Sequence, residues 1–242
     1  MQRTPPQSVH LDEDHVHVWQ VATDRISPAT IVTLRGLLDA DEIARAGRFH
    51  FERDRRAFII ARGLLRTLLG NYLNADPAQI EFCYGPYGKP ELAPSARAHA
   101  LQFNLAHTRG LIVYVFSHRR RVGVDVEYLS RKIDYLKIAR EYFSPHEVST
   151  LMSLPPAQQG PAFFHGWARK EAYLKARGAG IVYGLDQFDV SLHPGEPAAL
   201  LADRKHPAEV SNWRLESFTP APAYAAALAV EGTEWTLQFF EY

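Results

Sequence analysis

The sequence predicts an α+β fold. Segments with the period of strands and segments with the period of helices follow one another in mixed order, whereas a doubly wound sheet requires regular alternation. Each half of the chain places strands around one dominant helix, which is typical of a duplicated fold, although no sequence repeat is visible. The 242 residues are 46% hydrophobic, which is enough apolar material for one large core or two small ones.

The first half begins with strand-like segments at 15–21 and 30–34, and a helical pattern follows from about Asp39. Part of this pattern is a stripe of apolar residues at steps of three and four, which indicates a core helix. The stripe consists of Ala57, Ile60, Ala61, Leu64, Leu65, Leu68 and Leu69.

Two strands are predicted after this helix, LQFNLAH at 101–107 and LIVYVFS at 111–117, and the second is rich in β-branched and aromatic residues. A polar turn then leads into VGVDVE at 122–127. The order of strand, charged turn and strand predicts a hairpin between 111–117 and 122–127.

The second half is expected to start with three helices, of which the last is the strongest and is ended by glycines. The helices are predicted at 133–142, from about Ser144, and at 161–177 before Gly178 and Gly180, with a loop at Pro155, Pro156 and Gly160. Short strands are expected near 186–192, 212–218 and 223–230, with a last apolar run at 235–240. This organisation divides the chain into two α+β halves, 1–120 and 121–242.

Composition excludes several classes of protein. The 27 Lys and Arg residues balance the 27 Asp and Glu residues, so no overall field attracts nucleic acid or an anionic membrane. Cys83 is the only cysteine, which excludes an intramolecular disulfide and a multi-cysteine zinc site. The N-terminal residues lack the apolar core of a signal peptide, and no segment approaches the ~18 apolar residues of a membrane span, so a cytoplasmic protein is expected.

VGVDVE carries the first chemical signal, because strand alternation puts Asp125 and Glu127 on the face opposite to its valines. On a strand rise of ~3.3 Å their Cα atoms lie about 6.6 Å apart, a spacing at which two carboxylates can reach one hard cation. Without a cation the two charges disfavour each other. The alternative is the solvated outer face of an edge strand.

The helix FFHGWARKEAYLKA carries a second signal, because Glu171 falls on its apolar stripe. The stripe is defined by Phe164, Trp167, Ala168 and Leu174. A buried unpaired carboxylate is costly, so Glu171 requires a cation or strong donors nearby. Lys175, four residues further on, can pair with Glu171 or with a shared anionic ligand, whereas Lys170 points to a flanking face. An ordinary exposed Glu–Lys pair is the alternative.

A basic set indicates an anionic ligand. Arg55, Arg62 and Arg66 share a helix face away from the leucine stripe, and Lys89 lies in a turn rich in glycine and proline. Arginine forks match phosphate oxygens, and a lysine adds a point charge. A solvated charged face is the alternative.

Asn104 and His107, in NLAHT, lie at the end of a strand where packing does not require polar groups. His107 can donate to a phosphate, and a structural histidine is the alternative. The sequence has no Walker loop, no GxGxxG motif and no GxSxG motif, so it does not support P-loop nucleotide hydrolysis, dinucleotide redox chemistry or serine hydrolysis.

Five motifs taken in order resemble those of the Sfp-type 4′-phosphopantetheinyl transferases, in the subclass whose last motif is WxxKEA. They are GKPEL, FNLAHT, VGVDVE, FSPHE and WARKEAYLKARGAG, and the resemblance covers about 45–190. It implies two similar α+β halves in a pseudo-twofold arrangement with the active site at their interface. It also implies an enzyme that transfers the 4′-phosphopantetheine arm of coenzyme A to a serine of an apo acyl or peptidyl carrier protein and releases 3′,5′-ADP.

The resemblance assigns roles to individual residues. Asp125, Glu127 and Glu171 would hold Mg²⁺, or Mn²⁺ in its place. Glu171 would also act as the base for the carrier serine, either directly or through a metal-bound water. Lys175 would stabilise or protonate the leaving diphosphate. Contacts to coenzyme A, the co-substrate, would come from Arg55, Arg62, Lys89, Pro90, His107, Thr108 and Lys175.

Three further features follow from the resemblance. Many relatives have serine before the histidine of the second motif, whereas this chain has Ala106 and lacks that hydroxyl. The segment 128–152 would border the carrier protein, and its basic residues Arg131, Lys132 and Lys137 suit an acidic partner helix. Two halves that enclose one site make a monomer sufficient.

Two other functions remain as alternatives. A binding module for coenzyme A or a carrier protein could keep the fold without turnover, but retention of Asp125, Glu127, Glu171 and Lys175 argues against it. Nucleic-acid binding through the arginines of 45–66 is the other, and no aromatic stacking motif accompanies them. We therefore expect no nucleic-acid partner.

Overall fold

A four-stranded and a three-stranded sheet, each covered by a long helix, organise the structure, a computed structural model that describes residues 10–94, 100–130 and 132–242. The helices are α1 (Pro28–Gly36), α2 (Ala40–Gly47), α3 (Glu52–Leu73), α4 (Tyr135–Tyr142), α5 (Pro145–Ser153) and α6 (Pro156–Arg177). The strands are β1 (His15–Ala22), β2 (Phe82–Tyr84), β3 (Pro90–Leu92), β4 (Leu101–Thr108), β5 (Leu111–His118), β6 (Val122–Tyr128), β7 (Phe188–Val190), β8 (Leu200–Asp203), β9 (Trp213–Phe218), β10 (Tyr224–Glu231) and β11 (Thr236–Glu241). The predicted α+β class is confirmed.

The two sheets pack face to face, with one helix on each outer side. The first sheet has the order β11-β1-β5-β4 and the second has the order β6-β10-β9. Apolar residues of α3 pack on the outer face of the first sheet, and α6 packs on the outer face of the second. The inner faces meet through β-branched residues, among them Val113 and Val115 of β5 and Val122, Val124 and Val126 of β6.

β11 pairs with β1, so strands from the two ends of the described chain are neighbours in one sheet. This pairing is parallel, from His15 opposite Thr236 to Gln20 opposite Glu241, while β1 and β5 are antiparallel. A strand from the second half therefore completes the sheet of the first half. The division of the chain at residues 120 and 121 stays a prediction.

The segment 30–34, expected to be a strand, lies inside α1. Ser27 caps this helix, because its side-chain oxygen accepts a hydrogen bond from the backbone N–H of Thr30 at 3.1 Å, and Pro28 occupies the first turn. A short apolar run does not by itself distinguish a strand from a helix, whereas a serine cap followed by proline favours a helix start.

The hairpin expected between 111–117 and 122–127 is also wrong. β5 pairs with β4 and β1, and β6 pairs with β10. The chain turns at Arg119, with a φ of 62°, and passes from one sheet to the other. The hairpin that forms instead joins β4 and β5 through a turn at Arg109 and Gly110.

Two helix boundaries differ from expectation. The helical pattern after Asp39 forms two helices, and Asp39 and Glu42 make a reciprocal capping box at the start of α2. Pro156 and Gly160 were expected in a loop but belong to α6. Proline is tolerated in the first turn of a helix, because the N–H that it lacks would have no partner within the helix there.

In the described ranges, no helix combines the length and the apolar character needed to cross a membrane.

A buried histidine makes the first sheet sensitive to acid. His17 is 2% exposed, and its Nδ1 lies 2.9 Å from the Tyr72 hydroxyl, which also accepts the N–H of Trp19. Burial, followed by the charge of His15, lowers the pKa of His17 from 6.5 to about 4. Between these values the unfolded chain binds a proton at His17 that the folded chain does not bind, so stability falls as the pH drops through this window.

We expect the free energy of unfolding to fall by about 2 kcal/mol between about pH 7.5 and pH 5 through His17 alone. Chemical denaturation at both pH values measures the change. A His17→Gln variant, which has no titrating ring, should lose this part of the pH dependence. An unchanged pH dependence in the variant would show that His17 does not titrate as described.

Candidate active site

The helix α6 approaches the second sheet closely at Gly123 of β6. A Cβ atom at this position would collide with the backbone of α6 at Ala172, Lys175 and Ala176. Only glycine therefore lets the helix rest directly on the strand. This contact brings the last turns of α6 next to the acidic residues of β6.

Asp125 and Lys175 meet across this contact. The Lys175 Nζ lies 2.6 Å from Oδ1 of Asp125 and donates a second hydrogen bond to the Val124 carbonyl at 3.3 Å. Asp125 is 7% exposed, and its Oδ2 is buried without a hydrogen-bond partner among the residues that the structure describes. Such an oxygen has the capacity to accept a further donor or a cation.

Glu171 lies near this pair. Burial, and then the negative charge of Asp125, raise the pKa of Glu171, while Lys175 acts in the opposite direction. Strand and helix thus bring two carboxylates and one ammonium group together. Within 10–94, 100–130 and 132–242, no group of three or more His, Cys, Asp or Glu side chains is arranged to hold a metal ion, so the metal role of Asp125, Glu127 and Glu171 stays a prediction.

Glu127 borders an apolar pocket. The pocket has a volume of about 100 Å³. It is lined by Glu127, Ile133, Ile138, Phe163, Phe164 and Trp167. One carboxylate at the edge of an otherwise apolar lining suits a ligand with an apolar part beside a polar one.

Lys170 was expected to point to a flanking face of α6, but it is fully buried. Its Nζ forms an ion pair with Glu147 at 2.8 Å and donates to the carbonyls of Leu185 and Phe188. Glu147 also accepts the backbone N–H groups of Ser144 and Val190. The ion pair between Lys170 and Glu147 fixes α6 against α5 and β7. This pair was not predicted from the sequence, although the spacing of Ser144 and Glu147 is that of a capping box.

Two arginines of the predicted basic set, Arg62 and Arg66, are buried in ion pairs on α3. Arg66 is 1% exposed and pairs with Glu42 at 2.7 Å and Asp39 at 2.8 Å. Arg62 is 7% exposed, pairs with Glu42 at 3.1 Å and donates to the Tyr84 hydroxyl. These buried pairs hold α2 and the segment around β2 against α3.

Arg55 and His107 are more accessible members of the predicted phosphate-binding set. Arg55 pairs with the exposed Glu52 at 3.0 Å. His107 is exposed and Thr108 is half-buried at the end of β4. Ala106 packs in the core between the two sheets, so the side chain at this position does not face solvent.

Lys89 lies where the two halves meet. Its Nζ donates to the carbonyl of Val122 at 3.1 Å and to the carbonyl of Lys175 at 2.8 Å. Desolvation by burial lowers the pKa of Lys89 to about 8. Lys89 and Pro90 also line a cavity of about 250 Å³ between β3 and β4.

The region expected to border the carrier protein contains α4 and α5. Lys132 and Lys137 are exposed there, while Arg131 lies outside the described residues. Ser144 caps α5 as predicted, and its side chain accepts the backbone N–H of Glu147.

Comparison with known proteins decides the family. The model of the 4′-phosphopantetheinyl transferase superfamily matches residues 121–229, and the model of the N-terminal region of 4′-phosphopantetheinyl transferase matches residues 25–119. The chain is 38% identical over 237 residues to the 4′-phosphopantetheinyl transferase HetI of Nostoc sp., with 98% of this chain and 96% of HetI covered. The chain belongs to the 4′-phosphopantetheinyl transferase superfamily.

Other curated relatives of this transferase have related names. It is 36% identical to a putative 4′-phosphopantetheinyl transferase of Synechocystis sp., with 83% of this chain and 78% of the relative covered. It is 29% identical to the 4′-phosphopantetheinyl transferase Sfp of Bacillus subtilis, with 75% and 76% covered. The resemblance stated from the motifs is confirmed, and the protein is a transferase enzyme.

Proposed function

We propose that this transferase moves the 4′-phosphopantetheine arm of coenzyme A to a serine of an apo acyl or peptidyl carrier protein, with Mg²⁺ or Mn²⁺, and releases 3′,5′-ADP. The observation that carries the proposal is the meeting of Asp125, Glu171 and Lys175 where α6 rests on Gly123. The names of the relatives support the type of group transferred. We further propose that it works as a monomer in the cytoplasm.

The donor chemistry at this contact suits a divalent cation. Carboxylate oxygens are the ligands that Mg²⁺ prefers, and Asp125 has a buried oxygen without a hydrogen-bond partner in the described part of the chain. Asp125, Glu127 and Glu171 would hold the ion. When bound, the ion would neutralise negative charge on a diphosphate.

The side chains of the protein would manage charge and protons in the transfer. The serine oxygen forms a bond to the phosphorus of the phosphopantetheine while the bond from that phosphorus to the leaving 3′,5′-ADP breaks. Glu171 would accept the proton of the serine hydroxyl. Lys175 would stabilise the negative charge that develops on the leaving phosphate, since its ammonium group lies beside the carboxylates.

Coenzyme A would bind against residues of the first half. His107 and Thr108 lie at the end of β4 and are accessible to a phosphate. Arg55, Arg62 and Pro90 complete the proposed set, and Arg62 also donates to the Tyr84 hydroxyl. Lys89 was expected in this set, but its ammonium group already donates to two backbone carbonyls of the protein.

The carrier protein would approach from the side of α4 and α5. The exposed Lys132 and Lys137 suit an acidic partner. The apolar pocket beside Glu127 would accept an apolar part of the carrier or of the pantetheine arm.

Mass spectrometry of several apo carrier proteins, each incubated with the transferase, coenzyme A and Mg²⁺, tests the proposal. We expect a mass gain of one phosphopantetheine group on at least one carrier, and no gain when a chelator removes the metal. Replacing the target serine of the carrier by alanine is the matched control. Binding of coenzyme A in calorimetry without a mass gain on any carrier would favour a non-catalytic binding module instead.

A further inference from the structure

Two polar side chains of the first half contact the backbone of β6 on either side of Gly123. Lys89 donates to the carbonyl of Val122 at 3.1 Å, and Oδ1 of Asn104 accepts the backbone N–H of Val124 at 3.0 Å. Asn104 is 4% exposed. These contacts tie the start of β6 to the turn before β3 and to β4.

Lys89 also reaches α6. Its second hydrogen bond, at 2.8 Å, goes to the backbone carbonyl of Lys175 in the last turn of the helix. Carbonyl groups at this end of a helix carry partial negative charge, so an ammonium group there is favourable. One side chain of the first half therefore holds both the strand and the helix of the second half.

The backbone groups that Lys89 and Asn104 bind belong to, or lie close in sequence to, the residues proposed to take part in the reaction, Asp125 and Lys175. Asn104 fixes the residue before Asp125, and Lys89 fixes the backbone of Lys175. The side chain of Lys175 in turn donates to Asp125 and to the Val124 carbonyl. A shift of β6 relative to α6 would change the distance between Asp125 and Lys175 directly.

We propose that Lys89 and Asn104 are positioning residues that set the geometry of Asp125 and Lys175 from the first half of the chain. We call these two residues, with the backbone groups of Val122, Val124 and Lys175, the clasp. The proposal rests on the proposed transfer reaction. It differs from the role implied for Lys89 by resemblance, in which its ammonium group grips a phosphate of coenzyme A.

Several features of Lys89 support positioning over phosphate binding. Two of the three donors of its ammonium group are already bound to carbonyl oxygens of the protein. Desolvation lowers its pKa, while Glu91 acts to raise it and Arg121 and Lys175 act to lower it further. An ammonium group with two of its three donors committed to backbone carbonyls suits a fixed structural link better than the binding of an incoming anion.

Lys89→Met and Asn104→Leu test the clasp. Both remove hydrogen bonds to the backbone, but only the first removes a charge. We expect each variant to lower kcat for carrier modification by about tenfold or more, because a displacement of about 1 Å in an active site can cost a hundredfold. The dissociation constant for coenzyme A, measured by calorimetry, should change less than about threefold.

Hydrogen–deuterium exchange distinguishes positioning from phosphate binding, because loss of a phosphate contact alone would not change exchange in the protein without coenzyme A. In both variants, without coenzyme A, exchange in 122–127 and 171–177 should become faster than in the unchanged protein. Lys205→Met is the matched control, because this exposed lysine also donates to a backbone carbonyl, that of Tyr183, away from β6. The control should keep kcat and the exchange pattern.

Three outcomes overturn the proposal. The first is a Lys89→Met protein with unchanged kcat and a dissociation constant for coenzyme A raised tenfold or more. The second is unchanged exchange in both segments. The third is unchanged kcat in Asn104→Leu, which also decides the question if Lys89→Met does not fold. Failure of the unchanged protein to modify any carrier would instead reject the proposed transfer reaction.

Discussion

Replacing Asp125 by asparagine is expected to lower kcat/KM for carrier modification by about a thousandfold, in the range found when a single charge-stabilising group is removed from an active site. The substitution keeps the shape of the side chain but removes the charge that pairs with Lys175 at 2.6 Å. It also removes the negative charge from the oxygen proposed to bind the metal. Rates measured with an apo carrier over a range of Mg²⁺ concentrations give the effect, and excess Mg²⁺ should not restore the rate.

Asp189→Asn is the matched control for this experiment. Asp189 is also a buried aspartate on a strand and pairs with a basic side chain, Arg204, at 2.8 Å, but it lies on β7. The control should retain most of the activity. A fully active Asp125→Asn protein would show that the carboxylate of Asp125 takes no part in the reaction.

Replacing Gly123 by alanine is expected to lower the free energy of unfolding by about 3 kcal/mol or more, at the upper end of the costs known for overpacked cores. The added Cβ would meet backbone atoms of α6, which cannot rotate away as a side chain can, and the Lys175 carbonyl carbon would lie only 2.9 Å away. The helix must therefore move away from the strand. Thermal and chemical denaturation measure the loss.

The same substitution should also reduce activity, because Asp125 and Lys175 lie on the two elements that are forced apart. Gly47→Ala is the matched control, since a Cβ at Gly47 would meet no heavy atom of the described residues within 4 Å, apart from its chain neighbours and the backbone of its own helix. This variant should change stability by less than about 1 kcal/mol. A Gly123→Ala protein as stable and active as the unchanged protein would contradict the close packing of α6 on β6.

Local patterns in the sequence predict the elements of the fold better than their pairing. The apolar stripe from Ala57 to Leu69 lies in α3, and Gly178 caps α6 with a φ of 66°. Both depend on interactions between residues a few positions apart. β6 pairs with β10 rather than β5, and the paired residues are about a hundred positions apart in the chain. The periodicity of a strand carries no information about such a distant partner.

The same limit applies to the candidate site. The alternation in VGVDVE predicted that Asp125 faces away from the valines, and the valines do lie between the sheets. The burial of Arg62 and Arg66 in ion pairs was not predicted, because their shared partner Glu42 lies about twenty residues earlier in the chain. The link from Lys89 to Lys175 spans 86 positions and has no local signal.

The parallel pairing of β11 with β1 has a consequence for dissecting the protein. A fragment that stops at residue 120 lacks a strand of its own sheet and leaves an edge of β1 unpaired, a surface that favours aggregation. During translation, this sheet can be completed only after both halves have been synthesised, and such long-range pairing slows folding. A cut at the midpoint would therefore not give two complete halves. To express the halves separately, the segment containing β11 would have to be moved from the second fragment to the first.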